Sequence, residues 1–125
     1  MRILVTGSRT WQDVRAVEHA LTSTYFATTA TAPVTLVHGA CPRGADAMAS
    51  AWAADLKQSG WVITEERHPA DWRHNGKAAG LMRNAHMVNL GADVCLAFIK
   101  DGSRGATHCA GLAEQAGIEV RRWIA

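Results

Sequence analysis

Apolar residues gather into five short segments at fairly even spacing: Arg2 to Thr6, Val34 to His38, Trp61 to Arg67, Asp93 to Ile99 and Ile118 to Arg122. Each has the length of a strand. Between them apolar positions recur three and four residues apart: Val14, Val17, Leu21 and Tyr25, then Met48, Trp52 and Leu56, then Ala78, Leu81, Met82, Ala85 and Val88. A fourth stretch, Ala106 to Ala116, offers Leu112, Ala113 and Ala116. This period lays the apolar side chains along one stripe of a helix. Asp13 stands at an N-cap position, and Gly60, Gly91 and Gly117 follow the second, third and fourth helices, where a left-handed terminating residue is favoured. Strands that are apolar almost throughout, Val94 to Ile99 above all, predict a parallel sheet with helices on both faces. The expected fold is α/β, one five-stranded domain over residues 1–125, with Thr28 to Pro33 as a polar connection.

Composition narrows the function classes. At 48% hydrophobic and 19% charged residues the chain is globular in character. Its longest apolar run, Val94 to Ile99, is far short of the roughly 20 residues of a spanning helix. Ile3 to Val5 is broken at once by polar residues, unlike a signal-peptide core, so a cytoplasmic protein without a membrane partner is expected. Cys41, Cys95 and Cys109 lack CxxC spacing and read as free thiols. A net charge of +2 argues against nucleic acid as the partner. Only three of the thirteen cationic residues are lysines, and arginine suits forked hydrogen bonding to phosphate or carboxylate.

In doubly wound sheets ligands bind beyond the carboxyl ends of the strands. After the first strand come Gly7, Ser8 and Arg9, able to offer a close backbone approach, a hydroxyl and a guanidinium to a phosphate. The same residues also suit an ordinary turn with a solvated arginine. After the second strand, Gly39, Arg43 and Gly44 shape a loop before a helix start, with Asp46 in the first helical turn. Asp46 suits either compensation of the helix dipole or a role as hydroxyl acceptor or acid/base group. Cys41 lies in the same loop, where a helix start lowers a thiol pKa and burial raises it. After the third strand, His68, Asp71 and His74 have metal-like spacing, but no helix or strand period brings them together, so no metal and no cofactor is expected. There Trp72 reads as a stacking surface for a base or as a core edge, and Asp71 as a hydrogen-bond acceptor. Arg83 and Asn84 follow on the third long helix. After the fourth strand, Gly102, Ser103, Arg104, Gly105 and Thr107 repeat the pattern of glycines, a hydroxyl and a helix start. Arginine beside glycine at three strand ends, Arg9, Arg43 and Arg104, points to an anionic ligand.

The blocks GSRTWQD, HGACPRGADAMASAWA, HPADWRHNGKAAGLMRNAHMV and DGSRGATHCAGLAEQAGIEV resemble, in order, the YspA/YpsA-related branch of the SLOG superfamily. The resemblance covers almost the whole chain. It implies a Rossmann-like sheet and binding of a nucleotide or a nucleotide-derived ligand such as ADP-ribose. Among the wider relatives, the LOG phosphoribohydrolases cleave the N-glycosidic bond of nucleoside monophosphates. Arg83 and Met87 match their Arg-x-x-x-Met element, and Gly102, Gly105 and Thr107 match their phosphate loop with one extra residue. Their catalytic glutamate is replaced by Cys109 or Ala110, depending on register.

Two function classes follow. One is a sensor or binding domain for a nucleotide-like ligand, with phosphate on the Gly7 and Gly102 loops, Arg43 and Arg83 neutralising charge and Trp72 against the base. The other is a nucleotide N-glycoside hydrolase in which Asp46 or Asp71, with Arg83, takes the catalytic part. Arg83 is expected to point to the mouth between the first and fourth loops. Helical alanines and Trp123 are expected to suit a homodimer.

Overall fold

The computed structural model describes residues 1–27 and 33–125, so the Thr28 to Pro33 connection lies, but for Pro33, outside the described residues. The elements run β1 (Arg2–Gly7), α1 (Val14–Phe26), β2 (Val34–His38), α2 (Ala45–Gln58), β3 (Ile63–Arg67), α3 (Trp72–Asn75), α4 (Ala79–Asn89), β4 (Val94–Ile99), α5 (Arg104–Gln115) and β5 (Glu119–Ile124). All strands pair in parallel in the order β3-β2-β1-β4-β5. This is the expected α/β Rossmann-like sheet. The Asp13 carboxylate caps α1 through Ala16 N at 3.1 Å, and Gly60, Gly91 and Gly117 end their helices at φ of 89°, 85° and 82°.

Strand alternation sorts the core into two layers. Ile3, Val5, Leu36, Leu96 and Phe98 face α1 and α2, where Val17, Leu21, Ala49 and Trp52 cover them. On the other face Leu4, Val37 and Cys95 meet Met87 and Val88 of α4 and Cys109 and Ala113 of α5. Ala97 and Ile99 pack on Ala106 and Ala110. Small residues on both sides of this contact let α5 lie close to the sheet, which brings its first turn to the ends of β1 and β4.

β1 runs one residue longer than expected and β4 starts one residue later, while β3 and β5 shift for local reasons. β3 begins at Ile63 because Trp61 N still donates to Leu56 O at 3.0 Å, closing α2, while the Trp61 ring packs on Tyr25 and Phe26. β5 begins at Glu119 because Ile118 N closes α5 on Ala113 O at 3.0 Å. It continues to Ile124, pairing with β4 through Phe98 and Ile99. There the Trp123 ring stacks on Phe98 at 4.9 Å and packs, partly buried, against the edge of the core.

One charge cluster makes stability depend on pH. Arg2 donates to both Glu66 oxygens, at 3.1 and 2.8 Å, and His68 Nε2 lies 2.8 Å from the same carboxylate. The Arg2 bonds first, then His68, pull the Glu66 carboxyl down to about 2. A carboxyl depressed by folding stabilises fully above its unfolded value near 4.5 and loses that contribution as pH falls through about 2. With a third of the Glu66 side chain exposed, solvent screening holds the effect to about 1 kcal/mol. Glu66→Gln should therefore lower unfolding stability by about 1 kcal/mol at pH 6, with the deficit shrinking between pH 4.5 and 2. A pH-independent deficit in denaturant titrations would contradict this account.

Candidate functional site

The chain leaves β1 for one face of the sheet and β4 for the other, which opens a crevice between the β1 and β4 ends. A cleft of about 540 Å³ occupies it. Gly7, Ser8 and Arg9 from β1, Gly39 and Cys41 after β2, Asp46 of α2 and Trp72 of α3 line it. Lys77, Arg83 and Asn84 line it from the α4 side, and Lys100, Asp101, Ser103, Gly105 and Ala106 from the β4 end. Ten sequence-predicted residues thus share one wall system. Arg43, Gly44, Asp71, Gly102, Arg104 and Thr107 lie outside the lining.

Those six are displaced for specific reasons. Arg43, Gly102, Arg104 and Thr107 are exposed to solvent beside the cleft. Of the three loop arginines only Arg9 lines it. Gly44 is buried at φ 78°, and a Cβ there would run into Ser8 O and the Arg9 backbone. Its task is close packing of two loops. Asp71 is the N-cap of α3, accepting from His74 N at 3.2 Å, and its carboxylate lies 2.8 Å from the His74 ring. His68 turns instead to Glu66, so the His-x-x-Asp-x-x-His spacing does not converge. Among the described residues no group of three or more His, Cys, Asp or Glu is arranged to hold a metal.

Several lining residues have tasks that the sequence did not reveal. Ser8 Oγ accepts from Lys100 N at 2.8 Å and donates to Lys100 O at 3.3 Å, so the hydroxyl stitches the β1 and β4 ends together. The first N–H of α2, from Ala45, donates to Ser8 O at 3.4 Å, which engages that donor within the chain. Gly39 leaves space for the Arg83 guanidinium, into which a Cβ would project. Asn84 is buried, accepting from Arg83 Nε at 2.7 Å and donating to Gly105 O at 3.3 Å, and so braces α4 against α5. Arg83 lines the cleft but turns toward the second and third loops, with Nη1 donating to Gly39 O at 2.6 Å and His68 O at 3.2 Å.

Free recognition groups remain at both ends of the cleft. At the β4 end the N–H groups of Arg104, Gly105 and Ala106 precede the first α5 bond, from Thr107 N to Ser103 O at 3.1 Å, and Ser103 makes no side-chain cap. Lys77 and Lys100, which were not among the expected site residues, add charge to the wall, Lys100 with its Nζ donating to Gln12 Oε1 at 3.1 Å. At the rim Trp72 is 49% exposed, with the Arg9 guanidinium 5.5 Å from its ring centre. Asp46 forms part of the floor at 5% exposure, and burial raises its carboxyl pKa against the opposing hydrogen bond from Cys41 N. Burial first, then Asp46, raises the Cys41 thiol, so the loop does not activate it as a thiolate.

Behind this floor, His38 is fully buried, with Nε2 2.7 Å from Glu65 and Nδ1 accepting from Ala40 N at 3.0 Å. That acceptor fixes the tautomer and holds Ala40 at φ 59°. The turn in turn presents Gly39 O to Arg83 and Cys41 N to Asp46.

A family model described as YspA, cpYpsA-related SLOG family matches residues 1–74. The chain is 45% identical over 119 residues to the Gene 61 protein of Mycobacterium phage D29, covering 95% of this chain and 93% of that protein. No solved structure gives a significant match. Among the described residues no helix is long and apolar enough to cross a membrane.

Proposed function

The chain belongs to the YspA, cpYpsA-related SLOG family, and from that premise we propose that the cleft binds a nucleotide or a nucleotide-derived ligand such as an ADP-ribose-like molecule. The observation that carries this reading is the uncapped start of α5 opening into the cleft. Orphan N–H groups at a helix start and the positive end of its dipole favour a phosphate, and Arg9, Lys77 and Lys100 add cationic donors. Trp72 supplies the one aromatic ring among the lining residues, at the rim, where a base can stack in place of Arg9. The cleft volume also falls within the usual range for small-molecule sites.

Calorimetric titration with AMP, ADP-ribose and phosphate-free adenosine tests the reading. The phosphorylated ligands should bind at least about tenfold more tightly than adenosine, a difference of about 1.4 kcal/mol. Arg9→Ala should weaken them by a similar factor while leaving stability within about 0.5 kcal/mol, because the side chain is exposed on a loop. Equal affinity of parent and variant for ADP-ribose would remove Arg9 from the site. Failure of every phosphorylated ligand to bind would refute the reading.

A second reading, hydrolysis of an N-glycosidic bond, draws on Asp46. A buried carboxyl with a raised pKa suits proton transfer to a leaving base while water adds at the anomeric carbon. Asp46 is favoured over Asp71 as the carboxylate, since Asp71 caps α3 in solvent outside the cleft lining. Release of free base or ribose 5-phosphate from nucleoside monophosphates, absent in Asp46→Asn, would establish this reading. Intact substrate after prolonged incubation would dismiss it.

A further inference from the structure

Asp46 Oδ1 is buried without a hydrogen-bond partner among the described residues. Its sister oxygen accepts a long bond from Cys41 N at 3.3 Å, with the Cys41 thiol also against the carboxylate, and the residue is 95% withdrawn from solvent in the lining of the cleft. Such an atom destabilises the folded chain, because burial removes water without supplying a replacement donor. As the acidic residue in the first turn of α2, Asp46 complements the helix dipole by its charge, which gives Oδ1 no bond: the N-cap is Gly44, and the first helical N–H is held by Ser8 O. The local fold thus leaves one Asp46 oxygen unpaired in a residue that lines the cleft.

We propose that Asp46 Oδ1 accepts a hydrogen bond from a sugar hydroxyl of the ligand, so that the cleft takes ribonucleotides in preference to nucleotides lacking that hydroxyl. The inference rests on the nucleotide reading of the same cleft and specifies its ligand class. Three features select a hydroxyl among possible donors. Arg9, Lys77, Lys100 and Arg83 share the lining and repel a cationic ligand group, which leaves neutral donors. The base has its platform at the rim on half-exposed Trp72, away from the floor. The sugar, joining base to phosphate, bridges the rim and the α5 end and is the part that lies over the floor. A site built around a buried acceptor rejects the analogue that lacks the donor, since the acceptor would again be left unpaired.

The test measures calorimetric affinities of AMP, 2′-deoxy-AMP and 3′-deoxy-AMP for the parent chain, for Asp46→Ala and for the isosteric Asp46→Asn. In the parent, loss of one of the two hydroxyls should weaken binding at least about tenfold. In Asp46→Ala the ratio between AMP and that analogue should fall to within about twofold. Asp46→Asn, which keeps the volume, serves as the folding control, and both variants should melt no lower than the parent because a strained buried charge is removed. Equal binding of all three nucleotides by the parent overturns the sugar assignment while leaving the nucleotide reading in place. A parent ratio that survives in both variants overturns the role of Asp46. Absence of binding by all three nucleotides, with ADP-ribose and ribose 5-phosphate also inert, defeats the nucleotide reading and this inference with it.

Discussion

Gly44→Ala is expected to cost about 3 kcal/mol or more of unfolding free energy and to disable the cleft in whatever fraction still folds. Gly44 adopts φ 78° and ψ −152°, a region essentially restricted to glycine. Its missing Cβ is also the space filled by Ser8 O and the Arg9 backbone, which cannot swing aside as a flexible side-chain tip would. An added methyl must push the first loop away from α2, breaking the Ala45 N to Ser8 O bond and moving Ser8, which ties β1 to Lys100. Gly60 supplies the control. It has φ 89° but nothing within 4 Å of where a methyl would stand, so Gly60→Ala carries backbone strain alone, of about 1 to 2 kcal/mol. Urea unfolding of the two variants separates steric packing from strain. If Gly44→Ala were the milder of the pair, the close approach of the two loops would not be what holds this end of the sheet.

The strands and helices were legible because each reports a local periodicity. A strand buried on both faces, such as Val94–Ile99, has to be apolar throughout, and a helix over a sheet has to repeat at three and four residues. The cleft was legible as a location, since the crossover between β1 and β4 follows from a parallel sheet with helices on both faces. Roles inside it were less legible. A glycine announces that something approaches closely without saying what: at Gly39 it is the Arg83 guanidinium, at Gly7 it is Ala45, and at Gly44 it is another loop. Of the arginines beside glycine, Arg9 lines the cleft, while Arg43 and Arg104 stand in solvent beside it. Arg104 opens α5 in solvent, while its neighbours Ser103, Gly105 and Ala106 line the cleft. Only three-dimensional packing distinguishes adjacent positions on one helical turn. Likewise the Ser8 hydroxyl is taken by a backbone 92 residues away, a partner no local pattern discloses.

Arg83 should weigh nearly as heavily on stability, through the groups it holds together. Its Nε and Nη1 donate to Asn84 Oδ1, Gly39 O and His68 O, which ties α4 to the ends of β2 and β3. Its charge also offsets part of the burial that raises the Asp46 carboxyl. Removing the guanidinium leaves two loop carbonyls and the Asn84 amide without their donor, and hydrogen bonds from a charged group contribute about 1.5 to 3 kcal/mol. Arg83→Ala should therefore lose about 2 to 3 kcal/mol of stability. Arg83→Lys keeps the charge but cannot reproduce a fork aimed at three acceptors, so it should recover less than half of that loss. The two variants also separate support from recognition. If Arg83 acts by holding the Gly39 to Cys41 turn under Asp46, nucleotide affinity should fall in proportion to lost order in that turn, read as faster amide exchange at Ala40 and Cys41. Direct contact with the ligand would instead weaken binding while those amides kept the parent's protection. Parent-like stability in both variants would show that the three hydrogen bonds do not hold the loops, and the His38 and Cys41 N bonds would then carry the turn.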